Sequence, residues 1–203
     1  MKKIDYALLI GLVGAVMLSS LTGFAAECDE LRSEMLRLHI LASSDSEEDQ
    51  ALKYELRDRI LAESEALFSE KDYLEAREYA KEHLIELEAI ACEVLRENGR
   101  SDNVDVSLVN MYFGTRIYDE TLVAAGWYDA VRITIGEGNG QNWWCVMFPP
   151  MCLPAVAEGG AAELCEQIEN FGQEKYIPRF AIIELAEKAK NHLWPRDEAS
   201  VIY

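Results

Sequence analysis

Residues 36–58 read LRLHILASSDSEEDQALKYELRD, and the hydrophobic period changes inside them. Leu36, Leu38 and Ile40 alternate with Arg37 and His39, the two-residue period of a short strand with one buried face. After SSDS, Leu52, Leu56, Ile60 and then Leu67 recur at helical spacing. Asp45 or Ser46 can cap that helix. Glu47, Glu48 and Asp49 put carboxylates in its first turn, where the positive end of the macrodipole favours them. Asp49 with Lys53, and Glu55 with Arg59, are spaced for i to i+4 pairs. A strand that runs through a cap into a helix makes this a chain of mixed elements.

Working outward towards the C-terminus, Ser69 and Asp72 begin a second helix. Its buried side is Leu84, Leu87, Ala91, Val94 and Leu95, and Asn98 with Gly99 ends it. Val104, Val106 and Leu108 then alternate with Asp105 and Ser107 in a strand that runs to Phe113. A second strand begins after Gly126, with Val131, Ile133 and Ile135 on one face. GEGNG (136–140) reads as a hairpin-like turn into a third strand, WWCVMF (143–148), which Pro149 and Pro150 stop. A last helix is expected over about 178–193, with Phe180, Ile183 and Leu185 or Ala186 inward. The order βααβββα implies an α+β fold: a small, mostly antiparallel sheet with helices packed on one face.

Working outward towards the N-terminus, Lys2 and Lys3 precede ALLIGLVGAVML (7–18), a run without a polar side chain. Small residues follow, Gly23 and Ala25 among them. This is an export segment, residues 1–26. Two readings stand. Cleavage after Ala25 suits the short core and the small residues, whereas an uncleaved anchor would use Tyr6 to Ala26, close to the ~20 residues a bilayer needs. Lipid attachment at Cys28 is disfavoured by the acidic Glu27 before it. The division expected is 1–26 as signal or anchor, 27–153 as the α+β domain, and 154–203 as a looser segment whose helix packs on that domain.

The 203 residues carry 37 Asp and Glu against 19 Lys and Arg, a formal net charge of −18. No window concentrates basic residues free of carboxylates, so nucleic-acid binding is excluded. Half the residues are apolar, which permits a packed core and argues against disorder. An acidic body of this kind stays soluble and suits a partner with a basic surface.

Sites of chemistry are sparse. The three histidines, His39, His83 and His192, are far apart with no ligand spacing, and the five cysteines contain no C-x-x-C pair, so no metal site is expected. Asp45, Glu47, Glu48 and Asp49 lack the glycine and distal glutamate of a calcium loop, and capping explains them. GEGNGQ lacks both the spacing of a phosphate loop and a helix after it. A thiolate Cys145 with His39 as its base on a neighbouring strand is the enzymatic alternative; against it, apolar neighbours raise a thiol's pKa. Cys145 and Cys152 bracket two prolines, so a disulfide and two buried thiols both remain open.

Two stretches are more specific. LRLHILASSDSEEDQALKYELRD (36–58) and GEGNGQNWWCVMFPPMC (136–152) closely resemble the two signature segments of the stage II sporulation protein R family, and looser similarity joins them. The resemblance implies a signalling protein of endospore-forming bacteria with no catalysis and no cofactor of its own. Such a protein is exported from the forespore into the space between the two membranes. Its implied partner is a membrane-embedded aspartic-type protease of the mother cell, which processes the sigma-E precursor. A passive envelope domain is the bland alternative.

The resemblance carries no contact residues, so these are read from the chain. Trp143 and Trp144, adjacent in an extended segment, point to opposite faces; one exposed as an interface anchor, or both buried, are the open readings. Asp45, Glu48 and Asp49 at the helix corner are expected to form one activating patch with Asn142, Trp143 and Trp144.

Overall fold

The computed structural model describes residues 3–68, 72–118, 121–149, 177–196 and 199–202. In chain order they form α1 (Lys3–Ser33), β1 (Leu36–Leu41), α2 (Glu47–Phe68), α3 (Tyr73–Glu82) and α4 (Leu84–Glu97). Then follow β2 (Val104–Phe113), β3 (Arg116–Tyr118), β4 (Thr121–Val123), β5 (Gly126–Ile135), β6 (Asn142–Phe148), α5 (Ile177–Leu193) and β7 (Ala199–Val201).

Five strands make one sheet in the order β6-β1-β5-β2-β7, and β3 and β4 form a separate hairpin. Within the sheet β1 and β5 are parallel and the other pairs antiparallel. The α+β class and the mostly antiparallel sheet stand as expected, with β3, β4 and β7 added. One connection differs. GEGNG does not close a hairpin, because β1 lies between β5 and β6; the turn carries the chain past the end of β1. Gly136 and Gly138 supply the positive φ that this turn requires, at 57° and 64°.

Leu38, Val131, Leu108 and Cys145 stand side by side across four strands and are fully buried. Helices α2, α3 and α4 cover this face, with Leu56, Ile60, Ala76, Ala91 and Val94 in the core. Asp72 caps α3 in a complete capping box with Glu75. The single helix expected between Asp72 and Asn98 breaks in two at His83, whose φ of −108° leaves the helical region. The i to i+4 pairs expected on α2 are replaced by contacts between elements: Asp49 pairs with Arg100, and Arg59 with Glu97. The Asp49–Arg100 pair is held by a buried carboxylate, whereas Arg59–Glu97 lies at the surface, where an ion pair contributes little.

The opposite face of the sheet is covered too. Tyr118 of the β3–β4 hairpin folds over it and accepts a hydrogen bond from Arg37. At the end where β1 and β5 begin, the last turns of α1 and the start of α5 pack together through Phe24, Cys28, Phe180 and Ile183, with Leu122 and Ala124. Phe180 and Ile183 point inward as expected, whereas Leu185 and Ala186 are exposed. The boundary expected after residue 26 falls inside α1, which is one continuous helix. Of the segment 154–203, residues 154–176 lie outside those described; α5 packs on the domain, and β7 extends the sheet beside β2.

Candidate functional site

The loop after β1 and the loop before β6 meet beyond the end of β1. Gly140 N–H donates to Ala42 C=O at 2.9 Å, and Asn139 N–H to Ser43 C=O at 3.3 Å. Asp45 accepts from the Gln141 N–H at 2.7 Å. Gly140 is required for this approach, since a Cβ there would lie 2.2 Å from the Ser44 carbonyl oxygen. Lys53 completes the junction from α2: its ammonium, on a side chain buried to 1% exposure, donates to Gln141 C=O at 3.0 Å and to Gln50. Burial pushes the Lys53 ammonium below its ordinary value, and the Asp45 charge opposes that.

The acidic residues divide by role. Ser46, rather than Asp45, caps α2, accepting from the Asp49 N–H at 3.2 Å. Asp45 and Glu48 are exposed. Asp49 is turned inward at 6% exposure, accepting from Ser44 Oγ at 2.5 Å and from Arg100 at 2.6 Å. The Ser44 hydroxyl, and after it the Arg100 guanidinium, hold this carboxyl below its usual range against the effect of burial. Asp49 therefore belongs to the scaffold, not to a contact surface. The solvent-facing part of the expected patch is Asp45, Glu48 and Asn142.

Trp143 and Trp144 do point to opposite faces, and both are half-buried. Neither expected extreme occurs, because each face is partly covered at this end of β6. Trp143 meets Tyr54 edge-on at 5.4 Å with the Arg57 guanidinium 4.7 Å from its ring. Trp144 stacks on His39 at 3.9 Å with the planes 2° apart, Phe113 edge-on beside it and Arg116 at 5.6 Å. His39 Nε2 lies 2.7 Å from Asn142 Oδ1, so a neutral ring donates there. Burial lowers the His39 pKa to about 4, with the Asn142 hydrogen bond opposing and Arg132 adding to the shift.

His39 and Cys145 lie on adjacent strands, but they cannot act as base and nucleophile. The register pairs Cys145 with Leu38 and Trp144 with His39, which puts the two side chains on opposite faces of the sheet. Cys145 is moreover disulfide-bonded, so it carries no thiolate. Cys152, the expected second half of that bridge, lies outside the described residues. Cys28 and Cys92 are free. Among the described residues no group of three His, Cys, Asp or Glu could hold a metal.

Arg37 escaped the sequence reading. Its place in LRLHIL suggested a solvent face, yet it is fully buried. Nε donates to Cys145 C=O at 2.9 Å, and the guanidinium lies 4.3 Å from the Phe113 ring centre, 4.9 Å from Tyr128 and 5.4 Å from Tyr118. Desolvated cation–π contacts of this kind replace part of the lost hydration. Arg37 thus anchors β6 from behind, next to the two tryptophans. The only signal for it was the aromatic content of β2, β3 and β5, which alternation alone does not connect to β1.

The family model for Stage II sporulation protein R (spore_II_R) matches residues 32–158. Stage II sporulation protein R of Bacillus subtilis (strain 168) is 36% identical over 160 residues, spanning 77% of this chain and 70% of that protein. No solved structure matches. The matched region contains the sheet from β1 to β6, its three covering helices and both loops of the junction, and the chain belongs to the stage II sporulation protein R family.

Proposed function

We propose that this sporulation protein is an exported signal between compartments. Its folded domain is exported from the forespore and, in the space between the two membranes, activates a membrane-embedded aspartic-type protease of the mother cell that processes the sigma-E precursor. The observation that carries this reading is the junction itself. The two segments that resemble the family's signatures are far apart in sequence, are bonded to one another, and present a half-buried Trp pair at which, among the described residues, His39 and Cys145 face opposite sides of the sheet. A rigid loop pair with aromatic anchors at its rim suits recognition. Asp45, Glu48 and Asn142 with the edges of Trp143 and Trp144 form the contact surface, and a basic region of the receptor complements its carboxylates.

The test is genetic. The chromosomal gene is deleted in its spore-forming host, sigma-E precursor processing is followed by immunoblot, and a forespore-expressed copy is restored. Loss of processing with full rescue supports the reading; unaffected processing ends it. Trp143→Ala and Trp144→Ala, each checked for export and folding, then test the surface. Normal processing with both variants removes the tryptophans from it.

A further inference from the structure

α1 changes character along its length. From Ile4 to Leu18 its large apolar side chains are exposed all round, several above 60%. From Phe24 onward one face is built into the domain. Phe24 and Cys28 are buried to 2% and 1%, Leu31 packs against the main core, and Met35 just beyond the helix is buried. These positions recur at spacings of three and four, the stripe of a helix that docks on a protein surface.

The docking is specific. Phe24 meets Phe180 edge-on at 5.1 Å, and the Arg179 guanidinium lies 5.7 Å from its ring centre. Arg32 bonds its own helix at Cys28 C=O, pairs with Asp29 at 2.7 Å, and reaches Glu187 of α5 at 3.5 Å. Arg32 crosses β5 at Gly126, where a Cβ would lie 2.1 Å from the guanidinium. Cys28, Leu31 and Met35 pack beside Leu122, Val123, Ala124 and Tyr128. Burial pushes the Cys28 thiol up to about 12.

From these observations we infer that α1 is a retained membrane anchor whose last turns, Phe24 to Arg32, are part of the folded domain. Residues 4–23, apolar apart from Asp5 and Tyr6 at one end and Ser19, Ser20 and Thr22 towards the other, supply about 30 Å of helix, the thickness of a bilayer's hydrocarbon core. The helix leaves the lipid at Phe24 and enters the protein without a break. This sets the start of α5 at headgroup depth, with Arg179 placed for the interface. In the folded protein, proteolytic removal at Ala25 meets two obstacles. Residues 22–26 are helical, whereas proteases commonly bind a substrate segment as an extended strand. Cleavage would also take Phe24 out of the cluster that Phe180 and Ile183 complete. The inference is independent of which receptor the domain meets, and it replaces the cleaved-signal reading by the anchored one.

Two measurements test it on the full chain with a C-terminal tag, expressed in a spore-forming host. After alkaline carbonate extraction the expected result is protein in the membrane pellet, with an intact mass that includes residues 2–26. A soluble product beginning at Ala26 overturns the inference. For the protein purified in detergent micelles, Phe24→Ala should lower the Tm of the domain by roughly 10 °C and Phe24→Leu by less, whereas Leu12→Ala should leave it unchanged. Equal Tm values for the wild type and both Phe24 variants also overturn it, and if Phe24→Ala does not fold, Phe24→Leu against Leu12→Ala decides.

Discussion

The carboxylate of Asp45 accepts a hydrogen bond from the backbone N–H of Gln141, 96 residues further along the chain, and so ties the loop after β1 to the strand that carries both tryptophans. Charge and bond can be separated here. Asp45→Asn keeps an acceptor oxygen and should retain stability, whereas Asp45→Ala should lose about 1 kcal/mol in chemical denaturation. Asp45→Asn that folds normally yet fails to support sigma-E precursor processing would identify the charge as the recognised feature.

Gly140 is held against the Ser44 carbonyl, with no room for a methyl group. Gly140→Ala should separate the two loops and cost about 1–3 kcal/mol, as overpacking does. Gly114, with nothing within 4 Å of a built Cβ, is the control, and Gly114→Ala should stay within about 0.5 kcal/mol of wild type. Urea midpoints at constant m-value make the comparison.

Arg37 fills the centre of the second sheet face and donates to the Cys145 carbonyl, so truncation leaves a cavity and removes that hydrogen bond. Arg37→Ala should destabilise by about 3 kcal/mol or more. Arg37→Met, closer in volume and without the charge, should recover a large part of that loss. A loss for Arg37→Met as large as for Arg37→Ala would mean that the hydrogen bonds, and not the volume, dominate.

His39 makes the fold acid-sensitive in a defined window. Its pKa is near 4 when folded and near 6.5 when unfolded, so between those values the unfolded chain binds the additional proton. Stability from this group is complete above about pH 6.5 and is lost as pH falls towards 4, by about 3 kcal/mol in total. His39→Phe keeps the stack on Trp144 and removes the titration. The difference between the wild-type and His39→Phe stability curves should rise with pH across this window, and a flat difference would contradict it.

The elements with a clean period were readable from the chain. LRLHIL alternates, α2 carries Leu52, Leu56 and Ile60 on one stripe, and VDVSL and VRITI alternate, because one-sided burial imposes a period that local geometry fixes at two or near 3.6. The meeting of the two signature segments was expected only as a shared patch; the bonds that make it, through Gly140, Gln141 and Lys53, follow from the insertion of β1 between β5 and β6. No local pattern records that order, since a strand's neighbours are chosen by contacts distant in sequence. Alternation also misled at Arg37 and His39. It marks where polar residues face, but not whether another element covers that face, and the β3–β4 hairpin does.

The same division holds at the N-terminus. Length and apolar composition mark the segment Tyr6 to Ala26, within the helix Lys3–Ser33, as able to cross a bilayer, a property of the helix alone. Whether Phe24 and Cys28 belong to that segment or to the domain depends on Phe180, Ile183 and Leu122, which reach them only when the chain has folded. Secondary structure and charge are local sums over neighbouring residues; strand order, the covered second face and the docking of α1 are set by long-range packing.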